Sequence, residues 1–133
     1  MGTSVVLLGV YGGVASYNRP APEVRAWSAP TGTLLAWKLG HDVPRLLALL
    51  EWASLDSDSA LVEGLGAGYA SAVLPTSGVP KLISTLRQHP VEHHAALTRG
   101  VESAFEPTFI PQLPTSLLPQ VLAALDTLYV AER

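Results

Sequence analysis

The sequence predicts an all-α fold: a short glycine-faced helix at the amino terminus, then several short antiparallel helices joined by proline-rich links. Three observations carry that expectation. Apolar residues recur at helical spacing, as in Leu61, Leu65, Tyr69 and Val73. Prolines and a capping side chain stand where helices begin, with Asp42 ahead of Pro44, then Pro80 and Pro90. Glycine and proline punctuate the runs between them. The expected organisation is residues 1–18 as a packing helix, 19–42 as a proline-rich link with a short apolar segment, and 43–133 as a helical domain.

The first eighteen residues carry no charged side chain. Read as a helix from Thr3 to Asn18, they bring Gly2, Gly9, Gly13 and Ser16 to one side and Val6, Leu7, Val10 and Val14 to the other. A Gly-x-x-x-Gly pair such as Gly9 and Gly13 admits another helix backbone at close range. Dispersion and Cα–H···O contacts then hold the pair where lipid removes the hydrophobic drive. Sixteen residues span roughly 24 Å against a hydrocarbon core of about 30 Å, so a membrane helix here requires thinning or shelter by neighbours. Tyr17, Asn18 and Arg19 form the membrane edge, and Pro20 and Pro22 stop the helix. The same run also reads as a buried strand from Val5 to Val10 entering a turn at Gly12 and Gly13.

Arg19 to Pro30 is expected to be a polar link, and Thr31 to Leu39 a short strand or a turn and a half of helix closed by Gly40. Asp42 caps a helix running to about Leu55, with Val43, Leu46, Leu47, Leu50 and Trp52 apolar. From Ser59 to Leu74 two ridges run side by side: Leu61, Leu65, Tyr69 and Val73, and Ala60, Gly64, Gly68 and Ala72. Interior glycines cost about 1 kcal/mol each in a helix, so Gly64 and Gly68 mark a face against which a neighbouring backbone lies. No charge stands between Glu63 and Lys81; core packing is the preferred reading and a second membrane segment the alternative. Pro80 opens a helix to Gln88, and Pro90 another to about Phe105. Glu106 to Pro114 is an extended strap, and Leu117 to about Ala131 a last helix with Leu118, Val121, Leu122, Leu125, Leu128 and Tyr129 on one face.

Composition narrows the function classes. Hydrophobic residues make up 48% and charged residues 14%, with mean hydropathy +0.30, which favours a chain sheltered in a complex or membrane. A net charge of −3 with eight lysines and arginines offers no basic stripe, so no nucleic-acid partner is expected. Without cysteine there is no disulfide, thiolate metal site or thiol nucleophile. The amino terminus lacks the basic region of a secretory signal, so the segment is expected to be retained. Val6 breaks the myristoylation pattern.

Chemical motifs are sparse. His89-Pro90-Val91-Glu92-His93 spells H-x-x-E-H, the inverted zinc-protease motif. Pro90 as first helical residue leaves His89 outside the helix and off the face of His93, so solvent-facing histidines at a polar helix start are expected. Gly64-Leu65-Gly66-Ala67-Gly68 lacks the third glycine and preceding strand of a dinucleotide loop. Glu51, Asp56, Asp58 and Glu63 read as a solvated acidic edge. No catalytic residue, metal ligand or cofactor is assigned.

The run from Ser4 to Asn18 resembles the amino-terminal membrane helix of subunit e of mitochondrial F-type ATP synthases. In that family an apolar run leads into a Gly-x-x-x-Gly motif, here Gly9 and Gly13, and a Tyr-Asn pair follows, here Tyr17 and Asn18. The resemblance implies a non-catalytic inner-membrane subunit whose glycine face packs on a subunit g-like helix, in contact with lipid, and which supports enzyme dimers and crista curvature. It also places the carboxyl side in the intermembrane space, whereas Arg19 and Arg25 favour the matrix by the positive-inside rule. After Asn18 this chain departs from the family's single long charged helix. On this reading Gly9, Gly13, Ser16, Gly64 and Gly68 are helix-packing positions. The alternatives are a soluble helical interaction module and, third, a metal-dependent enzyme at His89 and His93.

Overall fold

The computed structural model describes residues 22–109 and 111–131, with side chains from 27 to 109 and 111 to 128. Among the described residues there are five α-helices, two 3-10 turns and no strand. The helices are α1 (Pro22–Leu39), α2 (Val43–Trp52), α3 (Ser59–Arg87), α4 (His94–Ser103) and α5 (Leu118–Ala131). None is long and apolar enough to cross a membrane.

The first helix differs most from expectation. The polar link ending at Pro30 and the short piece from Thr31 to Leu39 are one 18-residue helix that carries Pro30 within it. A proline inside a helix removes an amide donor and normally breaks or kinks it. Here Pro30 faces outward, while Ser28, Gly32 and Ala36, four residues apart on the opposite face, are buried against α3. Packing of that small-residue stripe outweighs the lost hydrogen bond.

In α2 the cap is where the sequence places it: the Asp42 carboxylate accepts from the Arg45 amide at 3.3 Å, with Pro44 in the first turn. Val43, Leu46 and Leu50 are buried. The helix stops at Trp52 rather than Leu55, and Ser54 takes a left-handed conformation with φ 58°. Asp58 then caps α3 with one oxygen, accepting from Leu61 N at 3.1 Å, and accepts from the Ser28 hydroxyl with the other at 3.0 Å.

The third helix is the axis of the fold. It passes Leu74, where the sequence suggests an end, and Pro75, and turns instead at Gly78. Gly78 has φ 84° and ψ −179°, a conformation that side-chain-bearing residues rarely adopt, and it divides the helix into two rods. Pro80 sits at the start of the second rod, as the sequence suggests.

Helices α1 and α4 lie on either side of α3 at backbone contact. A Cβ on Gly64 would collide with the Ala29 carbonyl, and one on Gly32 with the Leu61 carbonyl. Gly68 faces Thr33 and Ala36. On the other side Gly66 meets the Leu97 carbonyl and Gly100 the Glu63 carbonyl. The Thr33 hydroxyl donates to the Gly64 carbonyl at 3.0 Å, stitching α1 to α3. Around these seams Leu46, Leu50, Leu65, Tyr69, Leu82, Leu86, Leu97 and Val101 form one core. The stretch expected to be an extended strap instead turns at its start, Phe109 N donating to the Glu106 carbonyl at 3.0 Å, before Leu113 N donates to the Ala104 carbonyl at 3.0 Å. Helix α5 then closes the core with Val121, Leu125 and Leu128.

Candidate functional site

The packing and membrane-edge positions Gly9, Gly13, Ser16, Tyr17, Asn18 and Arg19 lie outside the described residues. Gly64 and Gly68 are in the middle of α3, and the backbone they admit is that of α1 in the same chain. Two other features of the surface and core can carry a role.

The first is the outward face of α1. Trp27, Pro30, Leu34 and Trp37 follow one another at spacings of three, four and three, which aligns them along one side of a helix as in a heptad seam. Their exposure is unusual for large apolar residues: 70% for Trp27, 52% for Leu34 and 44% for Trp37. Trp37 is held in place at its polar end, its indole N–H donating to Ser71 Oγ at 2.8 Å, and Ser71 in turn donates to the Gly68 carbonyl. Beside this seam runs a groove of about 560 Å³, walled by Thr33, Leu34, Trp37, Gly64 and Phe109. Glu63 stands at its side, paired with Arg99 at 3.9 Å. The acidic edge is therefore only partly solvated: Asp58 and Glu63 have partners, while Glu51 and Asp56 are exposed.

The second is a buried chain of hydrogen bonds at the corner between α3 and α4. The histidines expected to face solvent are inside: His89, His93 and His94 are each 5% exposed or less. Pro90 does lead out of the helix, but residues 91–93 form a 3-10 turn that swings His93 back onto His89. The two Nδ1 atoms lie 3.0 Å apart, and the rings are tilted by 52°. His89 Nε2 is 2.6 Å from the Tyr69 hydroxyl, His93 Nε2 is 2.8 Å from the Asp56 carbonyl, and His94 Nε2 is 3.1 Å from the His89 carbonyl.

With both imidazoles neutral, one placement of protons fits this geometry. A carbonyl oxygen only accepts, so His93 Nε2 carries a proton and donates to Asp56. Neutral His93 then has a bare Nδ1, which accepts from His89 Nδ1–H. His89 Nε2 is bare in turn and accepts from the Tyr69 O–H. Burial, reinforced by His93 and His94, holds His89 down to about 3, so it is neutral at physiological pH. Burial also pushes the Tyr69 phenol well above its usual value, so it remains a donor. Among the described residues no cluster of three His, Cys, Asp or Glu is disposed to hold a metal ion, and the Nδ1 atoms that zinc would need are engaged with each other.

His93 also borders a small pocket of about 240 Å³ lined by Asp56, Ser57, Ser59 and Glu92. The sequence contains the signal for the relay, three histidines within six residues. Its partner Tyr69 sits 20 positions away, on an apolar ridge that gives no hint of it. The chain matches no protein-family model, no curated protein and no solved structure in the comparisons made with each.

Proposed function

We propose that this chain is a non-catalytic structural subunit of a mitochondrial inner-membrane complex, with the membrane region of ATP synthase as the leading assignment. Its work is helix packing. The observation that carries the reading is the seam of Trp27, Leu34 and Trp37, exposed on α1 among the described residues. Aromatic side chains at a/d spacing beside a groove are suited to an apolar helix of a partner subunit, with the tryptophans as its anchors. The resemblance of residues 4–18 to the subunit e helix supports a membrane setting, in which Gly9 and Gly13 receive a subunit g-like helix.

The test is detergent extraction followed by native electrophoresis and mass spectrometry of co-migrating chains. Co-migration with ATP synthase membrane subunits, lost on Gly9→Leu with Gly13→Leu, is the expected result. Retention of the complex after both changes refutes the role given to that face.

A second reading is an interaction module that works without a membrane. It is supported by the way the glycine seams of α3 are closed inside the chain by α1 and α4, which leaves the α1 seam to engage a partner without help from lipid. Release by carbonate or high salt, with the partner still bound through Trp27 and Trp37, is what this reading predicts.

A further inference from the structure

The histidine corner plays no part in the helix-packing role. It joins two stretches of chain distant in sequence, the α2–α3 connection and the turn before α4. The geometry points to an acid-sensitive latch: the Tyr69–His89–His93–Asp56 chain clamps residues 53–58 onto residues 89–93, and uptake of a proton by the imidazole pair releases the clamp.

The proton pattern makes the latch sensitive. Every N–H in the chain is used, and the bare nitrogens, His89 Nε2 and His93 Nδ1, both accept. A proton arriving at His93 Nδ1 sets two N–H groups against each other across 3.0 Å. The other outcome is reversal of the bond to His89, so that His89 Nε2 donates to Tyr69. The Tyr69 hydroxyl proton is then left in the core with no second partner among the described residues.

The groups around the pair do not offset an added charge. Tyr69 faces it from α3 as a neutral phenol, and His94 from α4 carries no carboxylate to offset it. Glu92, in the 3-10 turn, and Asp56, in the connection, are exposed carboxylates lining the outer pocket, where water screens them. The low value of His89, about 3, expresses the same resistance to charge.

The clamped segment is also the one that yields most readily. Ala53, Ser54, Asp56 and Ser57 are exposed, and Ser54 sits at φ 58°, a left-handed conformation that is uncommon for a non-glycine residue. Release would widen the pocket at Asp56 and Ser57 while the glycine-packed helices stay together.

Hydrogen exchange of the full chain, read by mass spectrometry at about pH 7.5 and about pH 5 and corrected for intrinsic rates, tests the latch. With His89 at about 3 when clamped and about 6.5 when solvated, opening of residues 53–58 and 89–93 rises about thirtyfold between those pH values. Residues 61–70 of α3 remain more protected than these two segments at both pH values. His89→Gln removes the imidazole whose value sets this rise, and it flattens the pH response. Equal protection of the two segments at both pH values overturns the proposal. So does exchange of α3 as fast as that of the two segments at pH 5, which would make the response global unfolding. A second measurement needs no variant: ring-nitrogen NMR at neutral pH is expected to find His89 as the Nδ1–H tautomer and His93 as Nε2–H. The opposite assignment for either ring overturns the clamp.

Discussion

Two parts of the core hold helices together by opposite means. Where α3 meets α1 and α4, side chains are removed until backbones touch at Gly32, Gly64, Gly66 and Gly100. Where the α3–α4 corner meets the α2–α3 connection, side chains are added, and Tyr69, His89 and His93 bridge the gap through directional bonds. The first contact depends on shape alone, and no proton enters into it. The second depends on where each proton sits and tolerates one arrangement. The same α3 thus carries a pH-indifferent seam and a pH-dependent joint, with Gly66, Gly68 and Tyr69 only three positions apart.

The sharpest way to break this comparison is to fill the seam. Gly64→Leu drives a side chain into the Ala29 backbone, which cannot yield as a flexible side chain would. The expected cost is at least about 3 kcal/mol, read as a lower denaturation midpoint, and the loss is the same at pH 7.5 and pH 5. A loss that grows in acid would show that the seam and the joint are not separable. Acid itself gives the next largest effect. His89 has a folded value lowered to about 3, so its contribution is complete above the unfolded value of about 6.5 and is lost as pH falls toward 3. Between pH 7.5 and pH 5 the chain is expected to lose on the order of 2 kcal/mol in chemical denaturation, and His89→Leu to lose much of that slope.

The two regions also differ in how far the sequence announces them. The cap at Asp42, the fourfold spacing along α3 and the close-packing glycines Gly64 and Gly68 are local signals, and local signals survive folding. Helix α1 was obscured by Pro30 and by the polar residues before it, which argue for a link. What overrides them is the fit of Ser28, Gly32 and Ala36 to α3, a relation between two helices that no single window contains. The spacing of four was present in α1 as in α3, and comparing the two stripes would have paired them. The relay is less legible still. His89 and His93 flank a proline, which as a first helical residue would leave His89 outside the helix; a 3-10 turn brings the two rings together. The third member, Tyr69, and the carbonyl of Asp56 are supplied by tertiary structure. The uncharged run at residues 1–18 lies outside the described residues, so the expectations placed on it rest on sequence.

A smaller change sharpens the joint. Tyr69→Phe keeps the ring in the core and deletes the hydroxyl that donates to His89 Nε2. A buried acceptor is left unpaired, at a cost of about 1–3 kcal/mol in thermal or chemical unfolding. Because the deleted group belongs to the relay, its effect is coupled to that of His93→Gln, and the double variant loses less than the two single losses together. Additive losses would mean that the chain of bonds does not act as a unit.

The smallest effect on stability belongs to the outer face. Trp27 is 70% exposed, and Trp27→Ser removes little that the folded chain buries, so its denaturation midpoint is expected to move by less than about 0.5 kcal/mol. The same change removes one anchor of the α1 seam. Partner retention on a native gel is therefore expected to fall while the fold is unchanged, and Trp27→Phe to restore part of it. Inside, glycines and histidines hold α3 to its neighbours, while on the outer face of α1 Trp27 is left exposed among the described residues. Should Trp27→Ser destabilise the isolated chain as much as Tyr69→Phe, the seam is a structural surface of the fold, and the docking role assigned to it fails.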